Sequence, residues 1–456
     1  MIALTKDLIQ RYNKPGPRYT SYPTAPEWQV SFSETTYHQA LAQFDRTDKT
    51  ASLYVHIPFC TSMCYYCGCN VTIRKSREET GDDYLDYLEK ELGMIATSFS
   101  KKPRLKQVHL GGGTPNFLSE PQLTRLYHLI INFFDIDSDA EVAIEVDPRS
   151  VTTSQLKTLR HLGFNRISMG IQDFDPEVQK AVNRIQPFEM VQPLTEEVKR
   201  LGFHSLNYDL IYGLPHQTLE NFKDTIDKVL TLSPDRIALY SFAHIPWLKS
   251  HQKLIEESVL PDSNAKLDIF IAARDQLLQN GYKAIAMDHF AKSEDDLAKA
   301  FESNTLHRNF MGYTVKPADE YIGIGVSSIG FLENTFIQNN HEIKKYYETL
   351  DAGHLPVSKG LVLSEDDKIR QWTISKLMCQ FKLEKAIFNA LFNQDFDTYF
   401  TEEKAHLAQC EVEGLLTQTP SHIEATELGR FFIRNICMGF DWYLRQDRHK
   451  RFSKTV

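Results

Sequence analysis

The sequence predicts an α/β fold, a partial (β/α)6 TIM-like barrel with an N-terminal arm and a small, mainly helical C-terminal domain. Three observations carry this expectation. Six short apolar runs alternate with longer amphipathic segments; the chemically unusual residues all follow those apolar runs; and the alternation stops near residue 360. A strand followed by a helix, repeated, requires parallel strands joined by helical crossovers. Ligand-binding residues in such folds collect at the carboxyl ends of the strands.

The first 50 residues form the arm. Its segment Gly16-Pro17-Arg18-Tyr19-Thr20-Ser21-Tyr22-Pro23-Thr24 is too rich in Pro, Tyr and Thr for a long helix and is expected to lie across the barrel mouth as a cover. The barrel is expected over 51–360, with strands from Leu53 to Ile57, Gln107 to Leu110, Val142 to Val146, Arg166 to Met169, Ser205 to Leu210 and Arg236 to Tyr240. Helices are expected near 82–98, 119–133, 152–161, 176–200 and 218–231, where apolar residues return every three or four positions. In the C-terminal domain, 361–456, helices are expected at 365–381, 384–392, 403–410 and 426–445. Cys379, Cys410 and Cys437 are scattered along it and read as packed apolar residues.

Composition narrows the function. The 456 residues suffice for about three domain-sized units. With 51 basic against 60 acidic residues, net −9, the chain is poorly suited to nucleic acid or a membrane surface. No apolar run reaches spanning length, and the opening Met1 to Asp7 lacks a signal-peptide core. A cytoplasmic, monomeric protein is the expectation.

Each strand end carries a chemical signature. Cys60-x-x-x-Cys64-x-x-Cys67, with Cys69 close behind, follows the first strand. Three thiolates on one loop suit a 4Fe-4S cube whose fourth iron stays open to a chelating molecule. Structural zinc normally takes two separated pairs, and disulfides suit short secreted chains with even cysteine counts, so both are disfavoured. A closed cube using Cys69 as fourth ligand stays open as an electron-carrier alternative. Gly111-Gly112-Gly113-Thr114-Pro115 follows the second strand and allows a ligand to approach the backbone. Glu145 and Asp147-Pro148 end the third, Gln172-Asp173 follows the fourth, Asp209 leads into Ile211-Tyr212-Gly213-Leu214-Pro215 at the fifth, and Ala243-His244 follows the sixth. Glu145 on an otherwise apolar strand reads as an acceptor for ligand hydroxyls. Taken alone, Asp209 reads equally as a turn cap, and Gln172 and Arg184 are weak signals.

These residues carry a resemblance. Tyr54-Val55-His56-Ile57-Pro58-Phe59-Cys60, the cysteine spacing, Gly111 to Pro115 and Asp209 to Pro215 resemble the radical S-adenosylmethionine (SAM) enzymes. More narrowly, the arm, His307-Arg308-Asn309-Phe310 and Arg434-Asn435-Ile436-Cys437-Met438 are similar to the oxygen-independent coproporphyrinogen III oxidase family. A haem-binding chaperone of the same superfamily shares the cysteine spacing, but its relatives usually lack the arm.

The resemblance implies that Cys60, Cys64 and Cys67 ligate the cluster, while Cys69 matches a cysteine that is not a ligand. It implies two SAM molecules. Tyr54, Gly112, Glu145 and Ile329 match positions around the cluster-bound one; Tyr66, Gly113, Thr114, Gln172, Arg184, Asp209 and Ala243 match those around the second. Tyr66 stands where the family often has phenylalanine, and either ring stacks on adenine. The implied reaction is an oxidoreductase step of porphyrin and haem biosynthesis: a 5'-deoxyadenosyl radical takes hydrogen from a propionate β-carbon of coproporphyrinogen III, and two decarboxylations give protoporphyrinogen IX. An electron donor and a final acceptor are required, neither identified by sequence. For the four substrate carboxylates the candidates are Arg18, Tyr19, Tyr22, His307, Arg308 and Tyr313.

Overall fold

The computed structural model describes residues 6–315, 318, 320–446 and 452–455. Residues 1–5, on which the reading of the opening segment partly rests, lie outside them. The six expected strands are present as β1 (Ala51–Ile57), β2 (Arg104–Gly112), β3 (Asp135–Val146), β4 (Arg166–Gln172), β5 (Ser205–Tyr212) and β6 (Arg236–Ser241). Each pairs in parallel with the next, so all six carboxyl ends share one rim. Leu53, Val55, Val108, Ile144, Ile167, Leu210 and Ile237 are buried in the main core, against which the crossover helices pack. Near-continuous apolar strands are what a sheet covered on both faces demands.

The crossover helices span Arg77–Ala96, Glu120–Phe133, Thr153–His161, Phe188–Arg200 and Leu219–Leu232. Thr152 and Thr218 start two of them with reciprocal caps through Gln155 and Asn221. The helix expected over 176–200 is broken into Pro176–Ala181 and Phe188–Arg200. Asn183 turns left-handed at φ 54°, and Pro187 disfavours helix in the residue before it. The break matters, because the turn it creates carries Arg184.

The sheet continues on both sides instead of closing. Six further strands complete it: β7 (Tyr282–Ile285), β8 (His289–Lys292), β9 (Glu320–Ile324), β10 (Ile329–Leu332), β11 (Thr335–Asn339) and β12 (Val357–Val362). The order is β12-β11-β10-β9-β1-β2-β3-β4-β5-β6-β8-β7. β9 runs parallel to β1, whereas β10, β11 and β12 each pair antiparallel with the strand before, the last after the helix Ile343–Asp351. The turn between β10 and β11 places both Glu333 and Asn334 at positive φ, the tight hairpin geometry usually written with Asn-Gly.

The C-terminal region is mainly helical around a second core that includes Phe388, Phe396, Phe400 and Phe440, with Cys379, Cys410 and Cys437 buried inside it. It also holds a three-stranded antiparallel sheet, Lys382–Glu384, Leu416–Gln418 and His422–Ala425. The helix expected over 426–445 is three short ones, Glu427–Phe431, Ile433–Met438 and Trp442–Gln446. The arm is fastened to this region. Asn435 donates to the Tyr12 carbonyl (2.9 Å), Arg434 to the carbonyls of Gly16 and Pro17, and Gln371 to that of Tyr22 (2.9 Å). It meets the barrel rim where Arg18 Nη2 donates to the Ser241 carbonyl at the end of β6 (2.8 Å).

Candidate active site

Beyond β1 the chain forms a two-residue strand, Phe59–Cys60, parallel to Thr72–Ile73, so the intervening cysteine loop is closed at its base. Neighbouring segments hold its backbone. Tyr65 N–H donates to the Val182 carbonyl (3.0 Å) and Asn183 Nδ2 to that of Met63 (2.8 Å). From the turn after β6, Lys249, His251 and Gln252 reach the carbonyls of Cys69, Cys67 and Tyr66 at 2.9, 2.7 and 2.9 Å. All seven cysteines are free thiols, and Cys60, Cys64, Cys67 and Cys69 line one cavity of about 280 Å³.

The thiols sit in different surroundings. Cys60 Sγ lies 3.3 Å from Thr114 Oγ1, and burial pushes this thiol up to about 11. Its proton would leave on metal binding. Cys67 is drawn below the ordinary thiol range by a hydrogen bond from Cys69, whose own thiol is raised by the same contact. Cys64 Sγ is 3.5 Å from both Arg149 Nη2 and Arg184 Nη1. Two guanidiniums beside one sulfur suit a site that gathers negative charge.

Across the cavity, Gly112 adopts φ 114°, and a Cβ there would lie 2.6 Å from the His56 ring. At Gly113 it would lie 2.8 Å from the Phe59 carbonyl oxygen. A side chain at Gly112 would collide with His56 at the end of β1, and one at Gly113 with the start of the cysteine loop. Gly112 N–H donates to Glu145 Oε2 (3.2 Å), and His109 Nε2 lies 3.1 Å from Oε1. These contacts outweigh burial, leaving the carboxyl below its ordinary range. Tyr54 stacks on His109 with ring centroids 5.9 Å apart, and its hydroxyl is 3.0 Å from His56 Nδ1. His56 Nε2 lies 3.0 Å from the Asn70 carbonyl and must donate to it, so Nδ1 accepts from Tyr54 in a neutral ring.

Asp147 is clamped by Arg149 (2.6 Å) and Arg184 (3.3 Å), which hold its carboxyl down at about 2 despite burial. Arg184 also donates to the Gly170 carbonyl (2.7 Å), while its Nε is buried without a protein partner. That donor is available to a ligand. Asp209 accepts from Ser168 Oγ (3.0 Å) and Asn207 Nδ2 (3.0 Å); burial and the charge of Glu145 raise it to about 6. Gln172, at φ 65°, and Tyr240 complete this wall.

Comparison with known proteins follows the same lines. The Radical SAM superfamily matches residues 54–229, and the HemN C-terminal domain matches residues 363–432. Oxygen-independent coproporphyrinogen III oxidase of Synechocystis sp. is 42% identical over 460 residues, covering 100% of this chain and 98% of the relative. That of Escherichia coli is 43% identical over 450 residues, covering 98% of each. The chain belongs to the oxygen-independent coproporphyrinogen III oxidase family. A solved structure of the Escherichia coli coproporphyrinogen III oxidase HemN, described as a radical SAM enzyme, superposes with a TM-score of 0.90 at 42% identity, over 94% of this chain and 98% of that one.

Membership in this radical SAM family gives the protein a 4Fe-4S cluster and SAM as cofactors. The residues present fit them: four free thiols, the three expected ligands among them, face a cavity that also holds the glycine backbone, three carboxylates and an unpartnered guanidinium nitrogen. Of the positions expected from sequence, Cys60, Cys64, Cys67, Tyr66, Gly112, Gly113, Thr114, Glu145, Gln172, Arg184 and Asp209 line this one cavity. Tyr54 stands behind it through His56 and His109. Ala243 and Ile329 lie outside its lining; Ile329 packs beside the apolar cluster of Trp28 and Phe336. Arg149, His109 and Tyr240 join the site without a sequence expectation of their own, as do Asp147 and His56, which the sequence offers only within a strand end and a motif. Asp147 and Arg149 flank Pro148 at the end of β3, and that was the available signal.

The substrate candidates divide. Tyr19, Tyr22, His307 and Arg308 border a second cavity, whereas Arg18 borders a small separate one with Arg434 and Asp288. The hydroxyls expected to meet substrate have protein partners instead: Tyr19 donates to Asp441 (3.0 Å), Tyr22 accepts from the Trp442 N–H (3.1 Å), and buried Tyr313 donates to the Met378 carbonyl (3.4 Å). They anchor the arm and the 307–314 hairpin to the C-terminal region.

Proposed function

We propose that the protein performs the anaerobic oxidative decarboxylation of two propionate side chains of coproporphyrinogen III to vinyl groups, giving protoporphyrinogen IX. One observation carries the reading: four free cysteines and the Glu145, Asp147, Arg184 and Asp209 side chains surround one cavity at the carboxyl ends of consecutive parallel strands, in a chain similar from end to end to enzymes of that name. When bound, the reduced cluster and SAM supply a carbon radical able to take hydrogen from an unactivated carbon.

The chain's own residues then bind and orient. Cys60, Cys64 and Cys67 hold the cluster, and Arg149 and Arg184 offset its negative charge at Cys64. Tyr54, Gly112, Glu145 and Ile329 serve the cluster-bound SAM. Glu145, fixed by His109 and Gly112, offers its oxygens to hydroxyl or ammonium donors. Asp209, with Tyr66, Gly113, Thr114, Gln172, Arg184 and Ala243, serves a second SAM. The loop contacts from Lys249, His251 and Gln252 keep the cysteine loop seated and exclude water. Arg18, Tyr19, Tyr22, His307, Arg308 and Tyr313 shape the substrate side, the arginines by charge and the tyrosines by positioning the arm.

Residues 1–50 act as the arm, 51–360 as the catalytic barrel and 361–456 as the C-terminal domain of a cytoplasmic monomer supplied by a separate one-electron donor and discharged by a final acceptor. Among the described residues no helix is long and apolar enough to cross a membrane. Anaerobic incubation with substrate labelled in its propionate carboxyl groups tests the function. The reading requires two labelled carbon dioxide molecules per substrate, and full retention of the label overturns it.

A further inference from the structure

A cavity of about 320 Å³ opens where the arm residues Tyr19 to Tyr22, the hairpin His307–Asn309 and Gly312–Thr314, and the helix Glu365–Gln380 meet. Its walls are aromatic, with Tyr321, Phe331, Phe336 and Trp372, while its polar lining includes His307, Arg308, Lys376 and Thr314 and, among the described residues, no Asp or Glu. In a chain with 60 acidic against 51 basic residues, a described lining with cations and no carboxylate favours an anion.

The cations there lack carboxylate partners. Three buried arginines elsewhere meet carboxylates, Arg236 with Asp295 at 2.7 Å, Arg370 with Glu403 at 2.8 Å and Arg184 with Asp147 at 3.3 Å, whereas buried Arg434 meets backbone carbonyls. Among the described residues, neither Arg308 nor Lys376 has a carboxylate within ion-pair distance. Arg308 donates through Nη1 to the carbonyls of Arg18 and Tyr19, and its guanidinium lies 5.2 Å from the Tyr313 ring centre. Its Nε is buried with no partner, and so is Thr314 Oγ1 on the same lining. Asp288, whose charge reaches Arg308, is already spent on His289 at 2.7 Å. Two orphaned buried polar atoms beside unpaired cations mark a place for an anionic, hydrogen-bonding ligand.

Position supplies the identity of that ligand's chemistry. Tyr240 lines the cluster cavity. Its ring meets His289 at 5.9 Å, His289 meets Tyr313 at 4.9 Å, and Tyr313 carries Arg308. One row of ring contacts therefore runs from the lining of the cluster cavity to Arg308 on the lining of the second.

We propose that this second cavity seats the non-reacting carboxylates of the tetracarboxylate substrate, with Lys376 of the C-terminal helix and Thr314 joining Arg308 and His307 as its grip. The proposal rests on the function given above. It makes the C-terminal region part of the substrate site: carboxylates held far from the reacting carbon fix which propionate enters the cluster cavity.

The experiment uses the full-length protein with its cluster, and coproporphyrin III, the stable oxidised form of the substrate, as a fluorescent probe. Lys376→Glu is expected to weaken probe binding by about tenfold or more and to raise KM for substrate similarly, with kcat within about twofold. Lys376→Arg should restore both, and the tetramethyl ester should bind wild type and Lys376→Glu equally weakly. Equal dissociation constants and KM values for wild type and Lys376→Glu overturn the proposal while leaving the decarboxylase reading intact. Binding that depends on Lys376 in a protein that releases no carbon dioxide supports the cavity and sinks the function instead.

Discussion

His109 Nε2 lies 3.1 Å from Glu145 Oε1, while the Gly112 N–H holds Oε2 at 3.2 Å. Both oxygens of the carboxylate are thus aimed by neighbouring strand β2. The pairing of Tyr54 with His109 across β1 and β2 places the three side chains on one face. An oriented acceptor recognises a ligand more selectively than a free one, because its alignment is already paid for.

His109→Ala should therefore raise KM for SAM by roughly tenfold, about the worth of one charge-assisted hydrogen bond. The cluster's absorption spectrum should stay unchanged, since no contact of His109 reaches a cysteine. Reductive SAM cleavage measured at several SAM concentrations checks this, and an unaltered KM would make the pair a structural feature alone.

Cys69 shares the cavity with the three expected ligands, yet its contact is a hydrogen bond to Cys67. Serine at Cys60, Cys64 or Cys67 should prevent stable cluster assembly, whereas Cys69→Ser should retain iron and sulfide close to wild type. Anaerobic iron and sulfide analysis distinguishes the ligands. Loss of the cluster in Cys69→Ser would favour a closed cube with four protein ligands.

A stability prediction concerns the other end of the barrel. Glu141 on β3 is buried, accepts from Gln107 (2.9 Å) and lies 3.0 Å from Arg166 and 3.9 Å from Arg236. Burial alone would raise its carboxyl, but the two arginines bring it down to about 2. Its contribution is present above the unfolded carboxyl range near 4.3 and disappears as pH falls toward the folded value. Glu141→Gln should cost about 3 kcal/mol at neutral pH, since it leaves Arg166 without a carboxylate while Arg236 keeps Asp295. Denaturant titrations between pH 7 and pH 3 should show the difference from wild type shrinking with acid; a constant difference would contradict the assignment.

Much of this site was legible because each strand ends in residues that do not belong in a core. Cys60, the Gly111 to Gly113 run, Glu145, Gln172 and Asp209 each follow an apolar run, and parallel pairing in chain order brings them together. His109 and His56 were harder to read. They lie within strands, and their roles depend on register, which pairs Tyr54 with His109 but is not written in either segment alone. Asp147 and Arg149 become a clamp through the turn carrying Arg184, which exists because Asn183 and Pro187 interrupt a helix that periodicity alone continues. The strands β9 to β12 leave little trace in the sequence because they are short and the β10–β11 turn uses Glu333-Asn334 in place of a glycine turn. The arm's tyrosines read as ligand hydroxyls because nothing in the local sequence shows that Asp441 and the 442 backbone are waiting for them.

The central claim is that this site removes carbon dioxide from coproporphyrinogen III without oxygen. Anaerobic turnover of the intact, cluster-loaded protein with coproporphyrinogen III, SAM and a one-electron reductant, followed in time by chromatography, tests it most directly. The account predicts a tricarboxylate intermediate and then divinyl protoporphyrinogen IX. Neither product, in a sample with a full cluster and measurable SAM cleavage, would contradict it.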